Sequence, residues 1–448
     1  MPPPLHNAAP PAEAAGLVRR LGPLDAAAIV ISNVIGGGIF FVPIIVAGLV
    51  PDPKAMLAVW LFGGALAFAG AMAYAELAAV RPHAGGEYVY LRDAFGPLAA
   101  FLTGWTSFVA GFSGAIAASA VALADYVTRF VPAAAWARPA IAIAAIAALT
   151  AIHVRGLGPG RIVQNLLAAL KVSAIVLIVA LGFAIGHGNA ANLSASAPTS
   201  ALPWLLALVP VMFSYSGWNA AAYVAEEVRN PSRNVPLALG LGTIAVIVVY
   251  AGLNALYLYA MPSDQLAGLL GGGRLLDTAA ERLFGPAVGN LLALFAIVSL
   301  AASISAMVIA GPRVYFAMAR DGMFVRAAAR VHPRFHTPAT SIVAQSVWSS
   351  VLVLSGTQEQ LVNYTGFAVV LFAGVSVSAL FVLRRRDRDR PRPFSAFGYP
   401  WAPAIFVIAS AIIVVNEIAR TGWTSAAGIA LIAAGVPVYY VIRRGPRA

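Results

Sequence analysis

The sequence has no cysteine and little charge of either sign. Without cysteine, the chain forms neither disulfide bonds nor thiolate metal sites. Its six histidines lie in the N-terminal tail, in loops or at the ends of hydrophobic segments, without the spacing of metal ligands. Only 10% of the residues are charged, whereas about 25% are charged in a typical soluble domain. We therefore expect no metal, no cofactor and no large soluble domain.

Hydrophobic residues, in contrast, make up 60% of the 448 residues, and the mean hydropathy is +0.83. Apolar runs of about 20 residues recur along the chain, and each is long enough to cross the ~30 Å hydrocarbon core of a bilayer. A transmembrane β-barrel would instead show shorter segments of alternating polarity. The sequence predicts an all-α integral membrane protein with about twelve transmembrane helices. The predicted spans are 24–50, 54–80, 96–131, 135–153, 160–186, 201–226, 235–262, 286–320, 337–355, 359–383, 400–420 and 423–442.

The net charge of +12 is distributed unevenly over the connections between these spans. If the N-terminus is inside, 22 of the 29 Lys and Arg residues fall in cytoplasmic segments. The positive-inside rule then predicts a multi-pass protein of the cell inner (plasma) membrane with both termini in the cytoplasm, and no role in binding nucleic acid. The stretch RRRDRDRPRP (384–393) is interpreted as a stop-transfer anchor, with a regulatory or lipid-binding patch as the alternative. The Pro- and Ala-rich segment 1–23 lacks the order of a signal peptide and is predicted to be a disordered tail.

Three adjacent glycines, Gly36, Gly37 and Gly38, interrupt the first span about twelve residues from its start. That distance is ~18 Å along a helix, close to the bilayer midplane, where each glycine weakens an α-helix by about 1 kcal/mol relative to Ala. Non-helical backbone at this depth is tolerated only when it is buried in protein or lines a polar cavity. Close packing of small residues between helices is the alternative explanation for the glycines.

A second segment of weak helix formers, FSYSGWN (213–219), lies at a similar depth in the sixth span. Spans one and six cross the membrane in opposite directions, and interruptions at matching depth are the pattern expected of inverted repeats. Amide groups at one opened helix attract an anion, and freed carbonyl groups at the other attract a cation. A small ligand with a carboxylate beside an ammonium group, which is an α-amino acid, fits both.

Lys171 lies near the middle of the fifth span, roughly 15 Å along the helix from Arg161. A lysine at that depth costs at least a few kcal/mol unless it finds partners, and ionisable groups inside a membrane are functional by default. Two interpretations therefore stay open. Lys171 packs against freed carbonyl groups of the first span as a structural residue, or it takes part in transport.

Four motifs in this order resemble the amino acid, polyamine and organocation permeases, and within them the L-type amino acid transporters and their bacterial relatives. They are IGGGIF (35–40), YAELAAVRPHAGGEYVYLRDAFGPLAAFLTGW (74–105), QNLLAALKVSAIVLIVALG (164–182) and FSYSGWNAAAYVAEEVRNPSRNVP (213–236). The resemblance implies a fold of two intertwined five-helix inverted repeats, with the first and sixth helices broken, plus two terminal helices. The repeats would occupy residues 24–199 and 200–392, and the terminal helices with the C-terminus would occupy 393–448.

The resemblance also implies roles for particular residues. The substrate carboxylate would be bound at Val34, Ile35, Gly36, Gly37 and Gly38. The aromatic gate over the substrate would be Phe213. The substrate amino group would contact Ser214, Tyr215, Ser216 and Gly217, and a neighbouring residue of the pocket would be Asn219. Lys171 would occupy the place where sodium-coupled relatives bind a cation, so that transport is independent of sodium. Lys171 would then support exchange as a fixed charge, or couple transport to protons by losing its own proton.

Two absences qualify the resemblance. Relatives often have Ser or Thr at the position of Gly37, so one hydrogen bond to the carboxylate, worth roughly 0.5 to 1.5 kcal/mol, is missing here. Relatives that join a glycoprotein subunit do so through an extracellular cysteine, and because this chain has no cysteine we expect no disulfide-linked heavy subunit.

The substrate class follows from the charges near the predicted site. The middle portions of spans one, three, six, eight and ten contain no Asp or Glu, so a cationic side chain would lack a counter-ion. The sequence therefore predicts a transporter of neutral L-amino acids that works by alternating access, as an exchanger or a proton-coupled permease. A cationic amino acid or a polyamine is the alternative substrate. An integral membrane enzyme is a distant alternative, because neither a nucleophile with its base nor a metal triad is present.

Overall fold

The computed structural model describes residues 16–131, 137–270, 274–355 and 358–444, and these residues fold into helices. The predicted tail residues 1–15 lie outside the described part. The α-helices are α1 (Pro23–Val34), α2 (Val42–Leu49), α3 (Pro53–Val80), α4 (Glu87–Phe95), α5 (Pro97–Thr106), α6 (Phe112–Val127), α7 (Ala137–Val154), α8 (Leu157–Ile185), α9 (Ala191–Ser194), α10 (Ala201–Ser214), α11 (Ala220–Tyr223), α12 (Pro231–Ala260), α13 (Ser263–Ala267), α14 (Leu275–Phe284), α15 (Gly289–Arg320), α16 (Ala339–Ser355), α17 (Gln358–Arg386), α18 (Trp401–Thr421) and α19 (Trp423–Arg444).

The prediction of a multi-span helical membrane protein is confirmed. Nine helical segments within the described residues are long and apolar enough to cross a membrane, and one of them consists of α5 and α6 with the turn between them. Three shorter apolar helices, α1, α10 and α16, occupy the other predicted spans. One π-helical turn, Ser107–Gly111, joins α5 to α6 within the third span. Such turns often occur at functional sites.

The first and sixth spans are both interrupted, as predicted. The first ends its α-helix at Val34, makes a short 3₁₀ turn over Gly38–Phe40 and resumes as α2 at Val42. The sixth ends at Ser214 and resumes as α11 at Ala220. Glycine alone does not open the chain, because Gly104 and Gly182 lie within continuous helices. Tertiary contacts of the two openings, described below, supply donors to several of the carbonyl groups that the interrupted helices leave free.

We call the end of the helix bundle at which Leu21 pairs with Val228 the terminal end, and the other end the opposite end. At the terminal end Leu21 is buried and forms a parallel bridge with Val228. The amides of Arg20 and Leu21 donate to the carbonyl of Glu227, and the amide of Arg229 donates to Leu21. The predicted disorder of 1–23 is therefore wrong for this part of the tail, because an apolar side chain and main-chain pairing hold it in place.

Helix α15 forms the centre of the bundle, with 78% of its most apolar window buried. In contrast, only 22% of the corresponding window of α8 is buried, which places most of α8 at the lipid-facing periphery. Helix α1 packs against α8, α12 and α15, and α4 packs against α5 and α17. The connection between the second and third spans therefore folds back onto the bundle, although its sequence reads as a polar loop.

Candidate functional site

A cavity of about 680 Å³ lies between the interrupted first and sixth spans. This volume is in the range of pockets that bind small molecules. Helices α5, α6, α15 and α17 complete the walls, with Phe112, Met307 and Phe372 among their apolar contributions. The cavity extends past Asp125 and Thr128 to Arg274, which is exposed, so it opens toward the opposite end of the bundle.

The first interruption offers main-chain donors to this cavity. The amide of Gly36 donates to the carbonyl of Val34 at 2.7 Å, and the next turn begins with the amide of Phe40 donating to the carbonyl of Gly37 at 3.0 Å. Between them, the amides of Gly37 and Gly38 have no hydrogen-bond acceptor within the described part of the chain. Both glycines line the cavity, so these groups are placed to bind an anionic group of a ligand.

The sixth interruption approaches the first very closely. A Cβ atom on Gly38 would lie 2.9 Å from Ser214 Oγ and 3.2 Å from Ser214 Cα. Gly217 has φ of 99°, a backbone conformation that favours glycine. A Cβ there would lie 2.8 Å from Asn33 Nδ2. That amide nitrogen donates to the carbonyl of Gly217 at 3.3 Å, which joins the two interruptions.

One hydroxyl group also ties the two openings together. The hydroxyl of Tyr250, on α12, lies 2.9 Å from the carbonyl oxygen of Val34 and 3.0 Å from that of Ser214. Both carbonyls belong to the ends of interrupted helices, where helical acceptors are left without donors. Sequence reasoning missed this residue, because nothing near Tyr250 distinguishes it from other tyrosines of an apolar span.

Most residues predicted to bind substrate are brought together at the cavity. Its lining includes Val34, Gly36, Gly37, Gly38, Phe213, Ser214, Ser216, Gly217 and Asn219. Their role in binding substrate stays a prediction. The predicted gate residue Phe213 packs against Phe41, which also lines the cavity, with ring centroids 6.5 Å apart.

Two of the predicted residues do not line the cavity. Ile35 is fully buried in the apolar core, and its carbonyl oxygen points instead to Lys171 and Ser303. Tyr215 is buried against α3, where its hydroxyl donates to the carbonyl of Trp60 at 3.1 Å. The twist of the opened chain turns both side chains into the protein, and a role of these two residues in binding substrate stays a prediction.

Lys171 has 0% exposure and lies behind the first interruption. Its ammonium donates to the carbonyls of Ser32, at 3.3 Å, and Ile35, and to Ser303 Oγ on α15 at 2.9 Å. The lysine therefore bridges the end of α1 and the central helix. Ser303 in turn lines the cavity, so Lys171 is one residue removed from the ligand space.

A carboxyl group also lines the cavity, at the end farthest from its opening. Glu87 is the first residue of α4 and is 9% exposed, and its carboxylate accepts a hydrogen bond from the hydroxyl of Tyr74 at 2.9 Å. The absence of Asp and Glu from the middle of the spans therefore does not make the cavity free of acidic groups. The signal that could have found it is the Gly85–Gly86 pair, which turns the connection back into the bundle: Gly85 and Gly86 have φ of 103° and 48°.

Ion pairs close the terminal end of the bundle below the cavity. Glu227 and Arg313 form a fully buried pair with an N–O distance of 2.9 Å. Glu226 pairs with Arg320 at 3.0 Å, on the surface. Glu226 and Glu227 therefore belong to a salt-bridge network at this end of the bundle.

Comparison with known proteins gives a consistent result over almost the entire chain. A sequence model of the family described as amino acid permease matches residues 21–441. The chain is 28% identical over 431 residues to the serine/threonine exchanger SteT of Bacillus subtilis (strain 168), covering 96% of this chain and 98% of that protein. It is 29% identical over 437 residues to the b(0,+)-type amino acid transporter 1 of Mus musculus, covering 95% and 88%. It is 28% identical over 440 residues to the large neutral amino acids transporter small subunit 2 of Homo sapiens, covering 95% and 80%.

Proposed function

The chain belongs to the amino acid permease family, and we propose that it moves neutral L-amino acids by alternating access without sodium. Amino acid transport, as an exchanger or permease, and a multi-pass membrane location follow from the family and its relatives. The chain is a transporter and not an enzyme. The choice of neutral substrates and the independence of sodium are the proposal.

One observation supports the substrate site above all others: two interrupted helices meet at a single cavity. The free amides of Gly37 and Gly38 suit a carboxylate, and the end of α10 near Ser214 and Ser216 suits an ammonium group. The two charges of a zwitterion would thus be bound mainly by main-chain dipoles. We infer that the remaining volume, with Phe112, Met307 and Phe372, takes the side chain.

The position of Lys171 supports independence of sodium. Its ammonium donates to two main-chain carbonyls at the end of α1 and to a hydroxyl on α15, and oxygen atoms of this kind are ligands for hard cations. We infer that the fixed positive charge holds the opened first span against α15 in place of a bound ion.

The closed terminal end and open opposite end support alternating access. If the Arg-rich terminal end faces the cytoplasm, the structure is open to the outside and closed to the inside by pairs such as Glu227–Arg313. The opposite transport state would have to break some of these pairs. We propose that the protein resides in the cell inner (plasma) membrane with both termini cytoplasmic, as two inverted repeats over 24–199 and 200–392. We also propose that it acts without a disulfide-linked heavy subunit.

Cationic amino acids form the second candidate substrate class, because Glu87 lines the cavity. No Lys or Arg within the described ranges forms an ion pair with this carboxyl group. A substrate ammonium could therefore serve as its partner.

Counterflow into proteoliposomes tests the proposed function. Labelled L-serine and L-leucine should enter faster when the vesicles are preloaded with the unlabelled amino acid, with sodium or choline as the only external cation. Competition of unlabelled L-arginine against uptake of the same labelled amino acids distinguishes neutral from cationic substrates. An absence of trans-stimulation for all three amino acids would contradict the proposal.

Lys171→Ala tests the fixed charge. We expect this variant to lose most of its uptake, because the buried carbonyl of Ser32 loses its donor and the carbonyl of Ile35 keeps only Ser303. Arg420→Ala, which removes an exposed charge at the end of α18, is the matched control and should retain uptake. Uptake at the wild-type rate by Lys171→Ala would remove the lysine from the mechanism.

A further inference from the structure

The most informative group outside the predicted site is Glu87. It begins α4 directly after the Gly85–Gly86 turn, and the amide of Gly85 donates to the carbonyl of Tyr223 at 3.1 Å. A Cβ on Gly86 would lie 2.9 Å from Tyr223 Cδ1. This close approach carries Glu87 to the inner end of the cavity.

The immediate partners of the Glu87 carboxyl group are neutral. Tyr74, on α3, donates to it at 2.9 Å, and the hydroxyl of Tyr223 is the second phenol near it. The hydroxyl of Tyr223 accepts from Asn219 Nδ2 at 3.0 Å, and Asn219 lines the same cavity. Tyr90 is the third phenol near the carboxyl group.

The arginines of the surrounding elements are held by other carboxylates. On α15, Arg313 pairs with Glu227, and on α17, Arg384 pairs with Glu76. Arg81, which ends the second span, pairs with Asp93 and Asp387. On α4 itself, Arg92 pairs with Asp93 and Asp321.

A buried carboxyl group without a cationic partner favours its neutral form. The first turn of α4 opposes this preference weakly, because a helix N-terminus favours negative charge. Burial raises the pKa of Glu87, which lies in a connecting helix outside the spanning helices, to about 7. Both protonation states are therefore accessible near neutral pH, in a group that faces the cavity.

We propose that Glu87 binds and releases a proton in each transport cycle and thereby couples amino acid movement to a proton gradient. The proposal rests on the proposed function and assigns the proton to Glu87 rather than to Lys171. Water in the open cavity delivers one proton to the carboxylate. The neutral acid stays hydrogen-bonded to Tyr74 while the cavity is closed, and the same proton leaves to water after the terminal end has opened.

Proteoliposomes with a proton gradient test this assignment. The interior is set one pH unit more alkaline than the exterior, the membrane potential is clamped at zero, and an internal pH dye is recorded with labelled L-serine uptake. One proton per substrate allows accumulation of up to about tenfold under this gradient. Wild-type vesicles should accumulate L-serine and acidify inside in response to it, and a protonophore should abolish both.

Three variants give the comparison. Glu87→Gln keeps the shape and one hydrogen-bonding oxygen but cannot titrate, so accumulation and acidification should both be lost, with a flat pH profile for counterflow. Glu87→Asp should keep the gradient response with a shifted midpoint, and it keeps the test valid if Glu87→Gln does not fold. Glu281→Gln, on the exposed side of α14, is the carboxyl control and should behave as wild type.

Each other outcome overturns the assignment. Gradient-driven accumulation by Glu87→Gln, or an unshifted midpoint in Glu87→Asp, would place the proton elsewhere. A selective loss of L-arginine transport with an intact gradient response would make Glu87 a counter-ion for a cationic side chain. Counterflow by the wild type without proton movement would refute only this inference, whereas no counterflow at all would refute the proposed function.

Discussion

Adjacent glycines in the first interruption should respond in opposite ways to the same substitution. In Gly38→Ala the new methyl group would lie 2.9 Å from Ser214 Oγ and 3.2 Å from Ser214 Cα. In Gly37→Ala nothing lies within 4 Å of the new methyl group, and φ of −68° is ordinary for alanine. The two variants therefore differ in the space available and not in the chemistry of the change.

The expected loss of stability in Gly38→Ala depends on which atoms of Ser214 have to move. The hydroxyl of Ser214 can rotate away from a methyl group on Gly38, but the Cα atom moves only if the opened part of the sixth span moves with it. Overpacking of this kind costs about 1 to 3 kcal/mol. That energy corresponds to a loss of roughly fivefold to 150-fold in an equilibrium or in transport efficiency. Gly37→Ala should lose much less, because its methyl group enters open space.

Both variants are measured by thermal unfolding of the purified protein and by the initial rate of L-serine counterflow below saturation. Gly38→Ala should unfold at a lower temperature and transport more slowly than Gly37→Ala. Equal unfolding temperatures together with equal rates would refute the close approach of the two interruptions. A stronger defect in Gly37→Ala would show that the open space beside Gly37 is filled in the working protein.

Three further predictions use matched pairs of residues. Tyr250→Phe removes the donor shared by two buried carbonyls and should lower stability by about 1 to 3 kcal/mol in thermal unfolding. Tyr257→Phe is the control and should be nearly neutral, because the buried hydroxyl of Tyr257 has no partner within the described residues. Gly37→Ser adds a hydroxyl at the cavity wall and should tighten substrate binding roughly twofold to twelvefold in competition assays; weaker binding would place the carboxylate elsewhere. Glu227→Gln leaves Arg313 buried without a counter-ion and should cost about 3 to 5 kcal/mol in unfolding, and adding Arg313→Met should recover part of that loss; additive losses would contradict the pair.

Much of the fold could be predicted from local properties of the sequence. Long apolar runs have to become helices in a membrane, because hydrocarbon offers no partners for the main chain. The Gly36–Gly38 cluster and the FSYSGWN segment consist of weak helix formers at this depth, and they therefore indicate the two interruptions. The depth of Lys171 likewise indicates that it needs partners, and the structure supplies them from α1 and α15.

The sequence was less informative about which side chains reach the cavity. Ile35 and Tyr215 lie within the predicted segments, yet both point into the protein. Once a helix opens, its regular periodicity no longer gives the direction of each side chain. Tyr250 was missed for a related reason, because its role depends on two carbonyls that are distant from it in the chain.

The position of Glu87 shows most clearly which features depend on the sequence alone and which depend on the tertiary structure. The sequence by itself determined which segments enter the membrane, since hydropathy is a property of consecutive residues. The location of Glu87 in a connection therefore placed it outside the predicted pocket. Only the tertiary structure decided that this connection folds back through Gly85 and Gly86 and buries the carboxyl group against Tyr74. The physical reason is that a cavity is bounded by groups from many parts of the chain, and their proximity is set by packing.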